Sequence, residues 1–223
     1  MSNLWNLDHI QPSGADVLAG DTVTAMFWNA VAARGPKVWM RQKHMGIWKS
    51  WTWSQTADAV REIAGGLMAL GLAPGECASI LSNTTIEWVL CDLAVLACGG
   101  VSNGIYPTDA PSQVQYLCED SATRLLFVEN DEQLDKALEV REHLPLLRKI
   151  VVIDMEGLRG LDDADVIGLG ALRELGRGYL QQHAGELERR SAACQPGDLA
   201  ILVYTSGTTG KPKGAMHTHG AIT

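Results

Sequence analysis

CASILSNTTIEWVLCDLAVLACGGVSNGI, residues 77–105, changes its hydrophobic pattern twice. Residues 77–81 read as a strand, 85–97 as a helix and 101–105 as a short strand. The alternation continues downstream, with 112–119 as a helix, 125–128 as a strand, 132–143 as a helix and 149–153 as a strand. Strands separated by helices specify an α/β fold, mainly a parallel sheet with helices on both faces.

Upstream, Asp21 can cap a helix running to about Arg34, with Gly35-Pro36 as its stop. Residues 37–41 and 47–53 flank a turn-like segment, 43–46, and read as a Trp-rich β-hairpin carrying Trp39, Trp48, Trp51 and Trp53. Aromatic residues pack well across half-buried strands, which accounts for the four tryptophans without a ligand. Thr52 or Ser54 can cap the next helix, in which Ala57, Val60, Ile63, Ala64, Leu67 and Met68 recur at three- and four-residue intervals before Gly71.

Residues 154–170, rich in Gly and Asp, read as a loop, and 171–190 as mostly helical. Gln195-Pro196-Gly197 breaks the chain, and 199–204 is an almost wholly apolar strand of the buried kind. Two units are therefore expected. Residues 1–194 form an N-terminal α/β subdomain, and 195–223 hold a strand, a loop and a helix start of the next one.

Composition narrows the function classes. With 223 residues, 46% of them apolar, the chain can bury a substantial core. Its formal net charge of −8 comes without a basic block, so it carries no electrostatic footprint for nucleic acid. The start, MSNLWNLDHI, lacks the basic and continuous apolar regions of a secretory signal. The most apolar stretch, 86–101, carries Glu87 and Asp92 and is too short to span a bilayer. Five widely spaced cysteines form no metal-site pattern and fit a reducing, cytoplasmic setting as small buried hydrophobes.

The chemistry concentrates in YTSGTTGKPKGA, residues 204–215, directly after the apolar strand. Gly207, Gly210 and Gly214 permit φ > 0 and close backbone approach, so amide N–H groups can converge on an anion. Thr205, Ser206, Thr208 and Thr209 add hydroxyl donors, and Lys211 and Lys213 add positive charge. The spacing departs from the Walker A loop: only two residues separate Gly207 from Gly210, and Pro212 follows Lys211. An ordinary P-loop NTPase is thereby disfavoured. A helix start follows at 218–221.

On these residues the chain resembles the AMP-forming adenylate-forming superfamily, which comprises acyl-CoA synthetases, luciferases and peptide-synthetase adenylation domains. Its phosphate loop looks like YTSGTTGKPKGA. The resemblance extends upstream through GIWKSWTW (46–53), ILSNTTIEW (80–88) and residues 124–129, where the wording is most similar to the bacterial long-chain fatty-acid–CoA ligases. It implies the N-terminal subdomain of the acyl-CoA synthetase-like fold and a two-step reaction. A carboxylate attacks the α-phosphate of ATP, releasing pyrophosphate, and coenzyme A then displaces AMP from the acyl-adenylate.

By that resemblance, the ATP phosphates fall to Thr205, Ser206, Gly207, Thr208, Thr209, Gly210, Lys211 and Lys213, and Mg2+ to Thr205. His219 becomes a helix-start or substrate-pocket residue. Neither His217 nor His219 is needed as a base, since a carboxylate nucleophile is already ionised at neutral pH. The family often has Asn where this chain has Ala221. The adenine, ribose and CoA contacts and the catalytic lysine are implied beyond residue 223, so no catalytic residue is assigned within the fragment. Peripheral membrane contact of the complete enzyme stays open, as does oligomeric state. The alternatives are another carboxylate-adenylating ligase (aryl, short-chain or aminoacyl) and a non-catalytic truncated nucleotide-binding module.

Overall fold

The computed structural model describes residues 20–205 and 210–223. Its seven-stranded sheet runs β7-β6-β5-β3-β4-β8-β9, parallel throughout except for the last pair. The strands are β3 (Cys77–Leu81), β4 (Val101–Ile105), β5 (Leu125–Val128), β6 (Lys149–Val152), β7 (Val166–Gly168), β8 (Leu199–Thr205) and β9 (Lys213–Thr218). The central strands β3 and β5 are buried at every position because both faces are covered.

Side chains alternate along each strand and feed two cores. Leu125 and Phe127 join one face with Ala78, Ile80 and Val151, under helices α1 (Val23–Arg34), α2 (Trp53–Ala69), α3 (Ile86–Ala97), α6 (Leu169–Gln182) and α7 (Glu186–Ala193). Leu126 and Val128 join the other with Leu81, Ile105, Ile150 and Val152, under α4 (Pro111–Asp120) and α5 (Asp131–Val140). Fully burying one such side chain stabilises the fold by roughly 1.5–3 kcal/mol.

The tightest joint is α2 on α6. A Cβ on Gly176 would overlap the carbonyl oxygen of Glu62, and one on Gly66 would overlap that of Leu172. Only glycine lets these backbones approach so closely. Glu62 then receives Arg173 at 2.6 Å and Arg177 at 2.8 Å across the joint. Burial alone would raise the Glu62 carboxyl, but hydrogen bonds from Arg177 and Arg173 hold it below its ordinary range.

Several boundaries move from their expected positions for identifiable reasons. Thr22, not Asp21, caps α1, accepting from Ala25 N at 3.1 Å. The hairpin β1 (Val38–His44) and β2 (Ile47–Thr52) closes on two residues, Met45 and Gly46, with φ of 46° and 82°. Positive φ at both positions matches the twist of the flanking strands. Trp53 leaves the hairpin to begin α2, since Thr52 and Gln55 form a reciprocal capping box there. Trp53 stacks on Trp39 at 4.2 Å between centroids, as packing alone requires.

The 154–170 segment contains β7, a three-residue edge strand too short to show periodicity. The 171–190 helix is two helices, parted at Gly185 with φ 77°. β8 is half-buried rather than buried, and residues 213–218 form β9, which pairs antiparallel with it. β8 also pairs with β4, so it continues the same sheet. Among the described residues, no helix is long and apolar enough to cross a membrane.

Candidate phosphate-binding site

β8 and β9 form a hairpin whose mouth opens at the carboxyl end of β8. Leu199 pairs with Thr218 at the end away from the connecting loop, while Tyr204 pairs with Gly214 and Thr205 with Lys213 at the mouth, where the loop joins the two strands. Thr205, Gly210, Lys211 and Lys213 are therefore brought together. Ser206, Gly207, Thr208 and Thr209 lie outside the described residues. Gly210 has φ 130°, a conformation that side-chain-bearing residues rarely adopt.

The mouth is fixed from below by α4. Tyr116 donates its hydroxyl to the Pro212 carbonyl at 2.8 Å, and Tyr204 donates to Asp120 Oδ2 at 2.7 Å. Lys211 Nζ lies 4.8 Å from the centre of the Tyr116 ring. Burial, and then the Asp120 carboxylate, push the Tyr204 hydroxyl well above its ordinary value. A Cβ on Gly214 would meet the Tyr204 ring at 3.1 Å, so glycine lets the returning strand lie flat on it.

Beside the mouth, a cleft of about 400 Å³ opens between α4 and the carboxyl ends of β4 and β8, lined by Gly104, Tyr106, Asp109, Gln113, Tyr204 and Thr205 among others. It sits outside the carboxyl ends of parallel strands, where open α/β sheets bind ligands. On the neighbouring strands, Glu129 Oε2 accepts from Asn83 N at 2.7 Å and from Asn83 Nδ2 at 2.8 Å, tying the ends of β3 and β5.

His219 stands apart. It follows Thr218 at the end away from the loop, about 20 Å along the ladder from Thr205 at roughly 3.3 Å per residue. There it is buried, with Nε2 3.1 Å from Cys194 Sγ and Nδ1 without a partner, and burial lowers its basicity. The structure does not bring it together with the loop. His217 lies on β9 opposite Ile201, also remote from the mouth.

The donors at the mouth suit a metal shared with phosphate. Among the described residues no cluster of three or more His, Cys, Asp or Glu could hold a metal alone. Thr205, exposed at the strand end, offers one hydroxyl, which fits Mg2+ that takes its other oxygens from phosphate and water.

Sequence reading missed Tyr116, Asp120 and Glu129. The first two sit four apart on one face of α4 and meet partners 96 and 84 residues away, a contact with no local signature.

The fold is an α/β sheet with a hairpin at its carboxyl edge that carries Thr205, Gly210, Lys211 and Lys213. Residues 27–223 match the family described as "AMP-binding enzyme", and the chain belongs to that family. It is 36% identical over 173 residues to the long-chain-fatty-acid–CoA ligase FadD15 of Mycobacterium bovis, covering 78% of this chain and 27% of that protein. It is 31% identical over 202 residues to the human long-chain-fatty-acid–CoA ligase ACSBG1, covering 91% and 27%. The chain thus spans about a quarter of the length of these relatives. Acetoacetyl-CoA synthetase from Streptomyces lividans shares the fold at TM-score 0.73 and 21% identity, over 90% of this chain and 31% of that one. The anthranilate CoA ligase AuaEII, solved with anthranoyl-AMP, does so at 0.68 and 23%, over 89% and 35%.

Proposed function

We propose that this chain is the N-terminal part of an ATP-dependent, AMP-forming acyl-CoA synthetase acting on long-chain fatty acids. The observation that carries this reading is the β8–β9 mouth, where Thr205, Gly210, Lys211 and Lys213 converge at the carboxyl edge of the sheet in a chain of the AMP-binding family. The long-chain substrate is supported by the names of the two relatives.

The difficult part of adenylation is the departure of pyrophosphate, a leaving group with several negative charges. Backbone N–H groups, the hydroxyls of residues 205–209 and Lys213 would hold the β- and γ-phosphates in a fixed array, so the departing charge is neutralised without reorganisation. Thr205 would share Mg2+ with those phosphates, and the ion would supply further charge neutralisation. Coenzyme A is the acceptor in the second step. The division of the chain at 194/195 is proposed as a boundary of the complete enzyme, with adenine, ribose and CoA contacts contributed by the remainder. A cytoplasmic setting is supported by five free cysteines, four of them buried. The basic hairpin residues Arg41, Lys43 and Lys49, beside exposed Ile47 and Trp48, would be the natural surface for any membrane contact of the complete enzyme.

The test is isotopic exchange of pyrophosphate into ATP by the full-length product. Exchange that requires a long-chain fatty acid supports the reading. Exchange driven equally well by aryl, short-chain or amino acids moves the protein to another adenylating ligase, and nucleotide binding with no exchange favours a binding module.

A further inference from the structure

α4 meets the loop at both of its stems. Tyr204 is the last residue before Thr205, and its hydroxyl is held by Asp120 at 2.7 Å. Pro212 is the last residue before Lys213, and its carbonyl is held by Tyr116 at 2.8 Å. Residues 116 and 120 are one helical turn apart on one face of α4, so a single rigid element grips both sides of the mouth. α4 itself is anchored by Val114, Leu117 and Cys118, all buried in the second core. Its position is therefore set by the sheet rather than by the loop.

We propose that Tyr116 and Asp120 are positioning residues for the phosphate loop, forming a clasp that sets the width of its mouth and holds Lys211 in reserve for the phosphates. The proposal rests on reading the loop as a nucleotide phosphate site. The Tyr116 ring face attracts the Lys211 ammonium at 4.8 Å, an interaction weak enough to exchange for a phosphate oxygen. The hydroxyl of the same residue fixes the backbone next door, so one side chain parks the cation and pins the hinge from which it swings. Neither residue reaches the reacting atoms. Their effect is to fix the two stems at Tyr204 and Pro212, and a site with fixed ends binds phosphate more tightly because less order has to be imposed on binding.

Four variants of the full-length product separate the parts. Tyr116→Phe keeps the ring and removes the hydroxyl, and Tyr116→Leu removes both. Asp120→Asn keeps an acceptor for Tyr204, and Asp120→Ala does not. Two readouts are taken: affinity for inorganic pyrophosphate with Mg2+, and the rate of trypsin cleavage after Lys213 relative to cleavage after Arg159 in the exposed 154–165 loop. Lys211 precedes Pro212 and resists trypsin, so Lys213 reports on this stem.

Tyr116→Phe and Asp120→Ala are expected to weaken pyrophosphate by about three- to tenfold, as loss of one hydrogen bond predicts, with faster cleavage at Lys213 and an unchanged rate at Arg159. Tyr116→Leu should exceed Tyr116→Phe, and Asp120→Asn should stay near wild type. Unchanged affinity and cleavage in Tyr116→Leu and Asp120→Ala would overturn the clasp, as would cleavage rising equally at both sites, which marks general loosening. A wild type with no affinity for pyrophosphate overturns the phosphate reading, and the positioning role with it. That failure is recognised without any variant.

Discussion

The α2–α6 joint and the β8–β9 hairpin are opposite extremes of one molecule. At the joint, Ala57, Val60, Ile63, Ala64 and Leu67 are fully buried and glycine brings two backbones together. At the hairpin, Val203 is 42% and Met216 73% exposed, and the outer edge of β9 pairs with no described strand. The first region is closely packed, while the second is open and collects hydroxyls, lysines and glycines. Packing density marks where the fold is decided, and the sheet's open carboxyl edge marks where a ligand can enter.

If that contrast is right, substitutions at the joint should act on stability alone and substitutions at the hairpin on binding. The largest effect should come from Gly176→Val, whose side chain would drive into Glu62 and Gly66. A loss of about 3–5 kcal/mol, or failure to fold, is expected by urea denaturation. A mild loss would mean that α6 can slide on α2 and the joint is not rigid.

Asp92 sharpens the comparison with an intermediate effect. It lies beneath the cleft between α3 and β8, where burial pushes its carboxyl up to about 6, only partly offset by a hydrogen bond from Ser102. Its Oδ1 has no partner. A folded-state value above the unfolded one makes the protonated form favourable to folding. That contribution is complete below the unfolded value near 3.8 and is lost as pH rises through about 6. Asp92→Asn should therefore stabilise the protein by about 1–2 kcal/mol at pH 7.5 and by little at pH 4, the smaller figure reflecting partial exposure. Thermal melts at the two pH values decide it; equal gains at both would show that charge is not the cause.

The smallest effect should be at the exposed edge. Met216→Ser is expected to shift stability by no more than about 0.5 kcal/mol. A cost above about 2 kcal/mol in chemical denaturation of the full-length product would show that another segment buries this strand.

The same contrast explains what could be read in the amino-acid sequence. β3 and β5 occupy the expected residues because their apolar runs, bounded by turn signals, are enforced by burial on both faces, while β4, which carries Ser102 and Asn103, is held in place by pairing with β3 and β8. Thr52 and Thr85 announce their helices by local capping geometry. β7 and β9 were hidden because neither VIG nor KGAMHT carries a strand pattern; each exists only through its partner, β6 or β8. Within the site, the glycines, hydroxyls and lysines were legible because their chemistry lies in one short segment. The hold of α4 on the loop was not, since Tyr116 and Asp120 acquire meaning only when the sheet places β8 beside them. His219 begins the short helix 219–222, as its sequence suggested, but stands at the far end of the strand pair from the loop.

The most direct test of the account is equilibrium binding of MgATP to the full-length product, comparing wild type with Lys213→Ala and with Lys43→Ala on the β1–β2 hairpin. Lys213→Ala should weaken binding about tenfold or more, as expected for a charged phosphate contact, while Lys43→Ala matches wild type and all three melt within about 2 °C. Equal affinity in Lys213→Ala and wild type would contradict the assignment of the β8–β9 mouth as the phosphate site.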